Sequence, residues 1–559
     1  MEKRKIAIFL VFLSLFSLYP VFLKPVKSQE NEIITIGSNG NVFSSSGNIT
    51  IPIQRAGDVY TFTDNLYQSS LVVRRNDIVV DGAGYYITGI EGTGTGIDLT
   101  NTNNVTIKNF NLNGGFFFGI YAFNSSSNTI TGNTVINCIR GIIVENSSTT
   151  IVSSNNLTRN DNGLSIYFST NNELRNNIMY NNRFNFGVYG TELTHFINDV
   201  DSSNTVEDKR IYYLINENGM DINPSSFSDL GFLALVNCTG ITLRDFDLSH
   251  NIQAVIIAFS TDSTILQNQI TDTFSAIGVY SSSNTFISAN IIENNSRGIQ
   301  FSKSSGASVS ENIISSGAEG VYLFDSILNT FVNNNITDCD VGVGFSESSN
   351  NVFYGNYFIN NGNPVYDSIN YDSSIVASVN IWTAGYPIGG NYWSDYVGLD
   401  VKSGSNQDQS GSDGIGDTPY VINANNKDDY PLLPFGSRPL ISIFSPENKT
   451  YDSNNVDLTF SVSKPTSVIQ YRLDGQANVT ISGNTTLSNL DDGVHSVVIY
   501  AQDLDGQAGL SETIYFTVGQ QSEAEAFPTI WIIAIIVLVV ILGAIIFVYM
   551  KFSKRNDVK

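Results

Sequence analysis

The sequence predicts an all-β protein: a right-handed parallel β-helix of about 22 residues per coil, an immunoglobulin/fibronectin-like β-sandwich and one transmembrane helix. Three observations lead there. Asparagine and glycine recur at steps of 22 through the middle of the chain. After residue 436 the repeat gives way to alternating segments with hairpin turns. Residues 530–550 carry no charge.

The repeat is the strongest of these. Asparagine stands at Asn111, Asn133, Asn155 and Asn177, then at Asn268, Asn290, Asn312, Asn334 and Asn356. Gly119, Gly141 and Gly163, then Gly298, Gly320 and Gly342, keep the same step. Short alternating segments such as Thr129-Ile130-Thr131 precede the asparagines, and segments such as Gly141-Ile142-Ile143-Val144 follow them. A period of 22 is too short for a helical solenoid and suits three short strands with three turns. No single coil could bury its apolar face alone, so the coils must stack, with Ile130 and Phe331 pointing inward. Asparagines at a fixed turn can trade amide hydrogen bonds from coil to coil and tolerate left-handed backbone. About 11 coils at about 4.8 Å each give a rod of roughly 50 Å, right-handed by the crossover rule.

The organisation expected is a signal peptide at 1–28, an N-terminal cap at 30–71 and the β-helix at 72–360, with a projecting loop or hairpin near 200–231. A C-terminal cap with an acidic, glycine-rich loop follows at 361–436, where Trp393, Tyr396, Tyr420 and Tyr430 could cover the last coil. The sandwich occupies 437–518, with turns at Asp474-Gly475 and Asp492-Gly493. It has no Cys–Trp–Cys signature. A linker at 519–529 leads to the membrane helix at 530–550 and a cytoplasmic tail at 551–559. Lys3, Arg4 and Lys5 before an apolar run mark the signal. The segment 530–550 is about 31 Å long as a helix, enough to cross a bilayer. Trp531 and Tyr549 stand near its edges, and the basic tail KFSKRNDVK belongs inside. The expected localisation is therefore a single-pass cell-membrane protein with its body outside and 530–550 in the bilayer.

The formal net charge of −24 excludes nucleic acid as a partner. Cys138, Cys238 and Cys339 form no CxxC pair and no disulfide framework, and read as small buried hydrophobes. The candidate catalytic residues are Asp245 and Asp247 of LRDFDLSH, which alternate along a strand and share its outer face. Two such carboxylates could work as acid and base on a sugar; a solvated strand face is the plainer reading. Asp408, Asp413 and Asp417, gathered around glycines, could hold a structural Ca²⁺. Their spacing misses the EF-hand pattern, and an acidic solvated loop is the alternative. No other cofactor is expected. Tyr121, Tyr167, Tyr189, Tyr280 and Tyr322 lie at or near the glycine-led strands and offer aromatic faces to glycans, or else fill the core. Asparagine sequons at Asn48, Asn104, Asn146, Asn156, Asn237, Asn335, Asn448 and Asn484 are glycosylation candidates in an exported chain.

From residue 60 to 435 the coils resemble NosD-type right-handed β-helix proteins, which are similar to carbohydrate-binding and sugar-hydrolase proteins. The segment GGNYWSDY, followed by SDGIGDTPY and DDYPL, resembles the end of the β-helix in archaeal surface proteins of this type. The resemblance implies a periplasmic copper-accessory role. This chain offers few soft or imidazole ligands for one: His195, His250 and His495, three cysteines and four methionines, in no short motif. Three functions are thus carried forward. The first is a non-catalytic, membrane-anchored surface protein that touches glycans or envelope proteins. The second is a polysaccharide-active hydrolase, lyase or epimerase. The third is a copper-binding accessory protein.

Overall fold

Each coil of the computed structural model holds three strands, such as Thr129–Thr131, Thr134–Ile136 and Arg140–Glu145. The structure describes residues 31–519 except 48, 91, 371–373, 412, 434–438, 440, 463 and 505–507. The predicted signal at 1–28, the span at 530–550, the tail at 551–559, the linker beyond 519 and the sequon at Asn48 lie outside the described residues. Among those described, no helix is long and apolar enough to cross a membrane.

The middle residue of each short strand points inward. Ile130 and Val135 are buried while their strand neighbours are half-exposed, and Phe331 is buried between a half-exposed Thr330 and a buried Val332. Turns between strands need a left-handed residue, supplied by Gly132 in one coil and by Ser154 and Asn176 in the next two. Strands pair in parallel with their copies one coil on: Thr129 with Ile151, and Ile151 with Glu173. At Gly163 the coils approach closely. A Cβ there would lie 2.5 Å from the Asn185 carbonyl oxygen, which is why the repeat keeps glycine at this position.

The solenoid is right-handed, with about 14 turns rather than 11. Both ends contribute strands beyond the expected bounds of 72–360. Glu32–Ile36, inside the expected cap, pairs in parallel and in register with Ser69–Val73. Only Val42–Ser44 and Ile53–Ala56 fold back antiparallel, closing the exposed edges. At the other end Tyr392–Trp393 pairs in parallel with Tyr357 and Phe358. The Trp393 ring stacks between Phe358 at 4.4 Å and Tyr420 at 4.3 Å. Tyr396 packs beside them, whereas Tyr430 instead donates a hydrogen bond to the Ser405 carbonyl.

The region 200–231 is not a projection. Thr205–Val206 continues one face of the first coils, and the chain reverses through Glu207 and Asp208. Lys209–Ile215 then returns antiparallel to Thr205–Val206 and starts a second series of parallel strands. One 14-stranded sheet therefore runs through both series. It is built of the strands that follow the asparagines in the first series and of the glycine-led strands in the second.

This switch turns the second series so that its outer wall covers the end of the first. Gln253–Ala258 is buried along its whole length. Val255 and Ile257 pack into the second series. Ile256 and Ala258 face the other way, into an apolar cluster with Phe186, Val188 and Phe196. The Asn185 N–H donates to the His250 carbonyl at 2.7 Å, and the Ile252 N–H to the Phe186 carbonyl at 2.9 Å.

A second compact unit comprises 384–389, 397–419 and the described residues from 430 onward. Its strands Ile441–Ser445, Val456–Val462 and Thr485–Leu487 form one sheet. Thr466–Leu473, Gly493–Asp503 and Ile514–Val518 belong to another. Val456, Leu458, Val497, Ile499 and Phe516 are the centre of its core.

Candidate functional site

The recurrent asparagines do structural work. Asn133, Asn155, Asn177 and Asn204 form one continuous ladder, and Asn268, Asn290, Asn312, Asn334, Asn356 and Asn391 another. Asn111 is not a member. It sits on a strand opposite Thr134 and donates to the Gly84 carbonyl. The Oδ1 of Asn133 instead accepts the Phe110 N–H, because that coil is one residue longer. Parallel ladders that the period did not reveal run through Ser260, Ser282, Ser304, Ser326 and Ser348, and through Asn329, Asn351 and Asn380.

The expected carboxylate pair does not form. Thr242–Arg244 ends before Asp245, whose φ is +67°, and Asp247 begins the next strand. The strands on either side, Thr242–Arg244 and Asp247–Ser249, belong to different sheets, and Asp245 lies in the turn between them with the inward Phe246. Asp245 is paired to Arg244 at 2.9 Å. A turn has replaced the predicted continuous strand, because the Phe246 N–H must reach the asparagine ladder at Asn268.

The acidic loop is held by its own backbone. Asp413 is buried and accepts the N–H groups of Gly404 and Ile415. Asp417 accepts those of Val401 and Lys402, and Asp408 is exposed. Burial pushes the Asp413 carboxyl up, against the hydrogen bonds that favour its charge. Among the described residues no three His, Cys, Asp or Glu side chains gather to hold a metal ion. The copper donors fare no better. His195 lies on a short helix, His250 in an exposed turn and His495 in the second unit, and the three cysteines are buried apart. Among the described residues these donors do not come together as a copper site. Of the sequons, Asn104, Asn146, Asn156, Asn237, Asn448 and Asn484 are exposed and Asn335 is half-buried on a strand.

Chemistry-bearing side chains converge where the two series meet. On the first series the glycine-led strands are in register, with Phe123, Glu145, Tyr167 and Tyr189 in one outward column and Tyr121 and Ile143 in the next. The Tyr167 and Tyr189 rings are stacked at 5.3 Å. The Tyr121 hydroxyl donates to Glu145 at 2.8 Å, and its ring stacks on Phe118 at 4.5 Å. The Arg140 guanidinium lies 5.6 Å from the Phe118 ring. On the second series Gln253, Ser275, Arg297 and Glu319 form a column, and Gln300 and Tyr322 stand beside it. The Arg297 Nε donates to Glu319 at 2.5 Å, and its guanidinium lies 4.4 Å from the Tyr322 ring centre. The two sides touch: Phe184 packs edge-on against Phe274 at 6.0 Å, and Ile252 joins Tyr167 and Tyr189 in one cluster.

The electrostatics follow from burial. Tyr280 and Tyr322 are both pushed up to about 12 by desolvation, which Arg297 only partly offsets. Tyr167 and Tyr189 also move up, again mainly by burial. Tyr121 is raised by burial and then by the Glu145 carboxylate. Desolvation works against the Arg297 cation, but its partners together, Glu319 first among them, outweigh it and the group stays charged. The corner therefore holds protonated phenols, a fixed cation and amides; Tyr167, Tyr189, Tyr280 and Tyr322 are buried in it and Tyr121 is half-buried. The tyrosines were legible in the sequence as glycan candidates. Arg140 and Arg297 were not, although both directly precede the glycine of their coil.

Stacked parallel coils with internal ladders define this chain as a right-handed β-helix repeat protein. Residues 76–227 match the family described as "Right handed beta helix region". Residues 196–398 match the one described as "Periplasmic copper-binding protein (NosD)". These two matches, with the parallel solenoid, support a NosD-type right-handed β-helix over residues 76–398. No curated protein matches it. Among solved structures it is similar to the A-module of the Azotobacter vinelandii mannuronan C-5 epimerase AlgE6, at 11% identity and TM-score 0.23 over 55% of this chain and 84% of that one. It is also similar to the DFA-IIIase of Arthrobacter chlorophenolicus A6, at 10% identity and TM-score 0.21 over 51% of this chain and 66% of that one. Tailspike protein 2 of bacteriophage CBA120 matches at 11% identity and TM-score 0.21 over 88% of this chain and 84% of that one. Similarities this distant carry no argument about activity.

Proposed function

We propose that the protein is an extracytoplasmic, membrane-anchored recognition protein that binds glycans at the corner between its two series of coils, without catalysis. The observation that carries this reading is the convergence of Tyr121, Tyr167, Tyr189, Tyr322, Arg140 and Arg297 on two facing sheet walls. Aromatic faces beside fixed hydrogen-bonding groups suit the apolar and hydroxylated sides of a sugar ring. A tyrosine acting as general base would need its phenol drawn down toward neutral pH, and here burial drives the phenols upward. Residues 530–550 serve as the anchor in the bilayer, 551–559 as the cytoplasmic tail, and the second unit as an immunoglobulin-like spacer.

Two measurements test the reading. The full-length purified chain is incubated with a glycan library while binding and new reducing or unsaturated ends are both recorded. Binding without product, weakened in Tyr121→Ala, is the expected result. Product formation would replace the proposal with the polysaccharide-active reading. Protease added to intact cells should remove the body and leave a small membrane stub; a protected body would refute the topology.

A further inference from the structure

We infer that the open rim of the corner selects amine-bearing glycans, seating a protonated sugar amine on Glu145 among the side chains of Tyr121, Phe123 and Tyr167. This inference rests on the glycan-binding reading and specifies its ligand class. Tyr167 and Tyr189 are buried where the two walls meet, whereas Tyr121, Phe123 and Glu145 lie further out on the first wall and are each partly exposed. Phe123 and Tyr167 flank Glu145 in register, one coil before it and one coil after. The Tyr121 hydroxyl donates to Glu145 Oε2 at 2.8 Å, and the Tyr121 and Phe123 rings are stacked at 5.7 Å. One carboxylate that solvent reaches is thus bordered by three aromatic side chains.

No cation of the fold answers that carboxylate. Among the described residues Glu145 makes no ion pair, and the hydrogen bond that it accepts comes from a neutral phenol. The other carboxylates of the corner are committed: Asp98, in register with Tyr121, is paired to Arg74 at 2.9 Å, and Glu319 to Arg297. Arg140 stands at the start of the same strand as Glu145, with its guanidinium over Phe117 and Phe118. An ammonium placed on Glu145 gains from the opposite charge and from the ring quadrupoles together, and an acetamide in the same place gains much less. Phe118, stacked on Tyr121 at 4.5 Å, extends the aromatic surface along the strand for the rest of a sugar chain. The net charge of −24 works in the same direction, attracting a cationic glycan and repelling an acidic one.

Calorimetric titration of the full-length chain with chitosan tetramer, its fully N-acetylated counterpart and spermidine tests this at mildly acidic pH, where the amines are protonated. The chitosan tetramer should bind about tenfold or more tightly than the acetylated one and than spermidine, which carries charge without a sugar. Glu145→Gln should bring the amine-bearing tetramer down to the level of the acetylated one. Phe123→Lys, which supplies a cation beside Glu145 from the fold itself, should do the same. Circular dichroism and melting check both variants. If Glu145→Gln does not fold, Phe123→Lys and the salt dependence of the parent chain decide the matter, because a preference based on charge shrinks as salt is added. Equal binding of the two tetramers, a preference that survives Glu145→Gln or added salt, or spermidine bound as tightly as the chitosan tetramer would overturn the inference and leave the glycan reading standing. Binding of neither tetramer would overturn both.

Discussion

Asn155 donates its backbone N–H and its side-chain amide to the same atom, Oδ1 of Asn177, at 3.1 and 3.0 Å. The same amide nitrogen also reaches the Ile130 carbonyl at 2.8 Å. One residue thus ties the coil before it, through the Ile130 carbonyl and the Asn133 N–H, to the coil after it, through the Asn177 side chain, in a place that water does not reach.

Asn155→Ala should therefore destabilise the solenoid by on the order of 3 kcal/mol, since it strands several buried polar groups at once. Asn111→Ala, off the ladder, should change stability by no more than about 1 kcal/mol. Denaturant melts of the two variants give the comparison. Equal losses would mean that the ladder is not what the asparagine repeat encodes.

Phe186 packs edge-on against Phe232 at 4.9 Å, across the junction of the two series. Phe186→Ala should cost about 3–5 kcal/mol and loosen that junction. Limited proteolysis should then cut first within 200–231, a region expected to resist cleavage in the parent chain.

The Trp393 Nε1 donates to the buried Asp428 at 2.9 Å while its ring plugs the last coil. Trp393→Ala should lower stability by about 3–5 kcal/mol. Hydrogen exchange should locate the loss in the terminal coils around Tyr357–Ile359 and leave the coils near Ile130 protected.

In the second unit His495 lies between the Asp474 carboxylate and the Asp491 carbonyl, each at 2.7 Å. Desolvation pulls its pKa down, but these two partners outweigh it and the net shift is upward from 6.5. A raised histidine stabilises the fold fully below its unfolded value, about 6.5, and loses that contribution as pH rises through the folded value. Amide protection of Gly493–Asp503 should accordingly be greater at pH 5.5 than at pH 8.5. Asp474→Asn should flatten that dependence.

The sequence made the coil legible because every element of it is local. Ile130 and Phe331 point inward as their alternation requires, and the strands stack at the spacing of the repeat. The junction was not legible. The Asn185 N–H meets the His250 carbonyl, and Ile256 enters the core of the first series; neither contact leaves a periodic trace. The Asp245 turn was missed for a related reason: alternation around Phe246 looks the same whether one strand continues or two meet at a left-handed residue. The corner was half visible. Its tyrosines belong to the repeat, but their approach to Arg297 depends on the reversal at Glu207 and Asp208.

That reversal also sets an order of events during synthesis. The strand Phe184–Tyr189 leaves the ribosome well before the segment at His250 and Ile252 that closes its free edge. A solenoid that grows from its N-terminus must hold this edge open while the intervening stretch emerges. In the finished fold that flank is covered by the chain's own later coils rather than by another molecule.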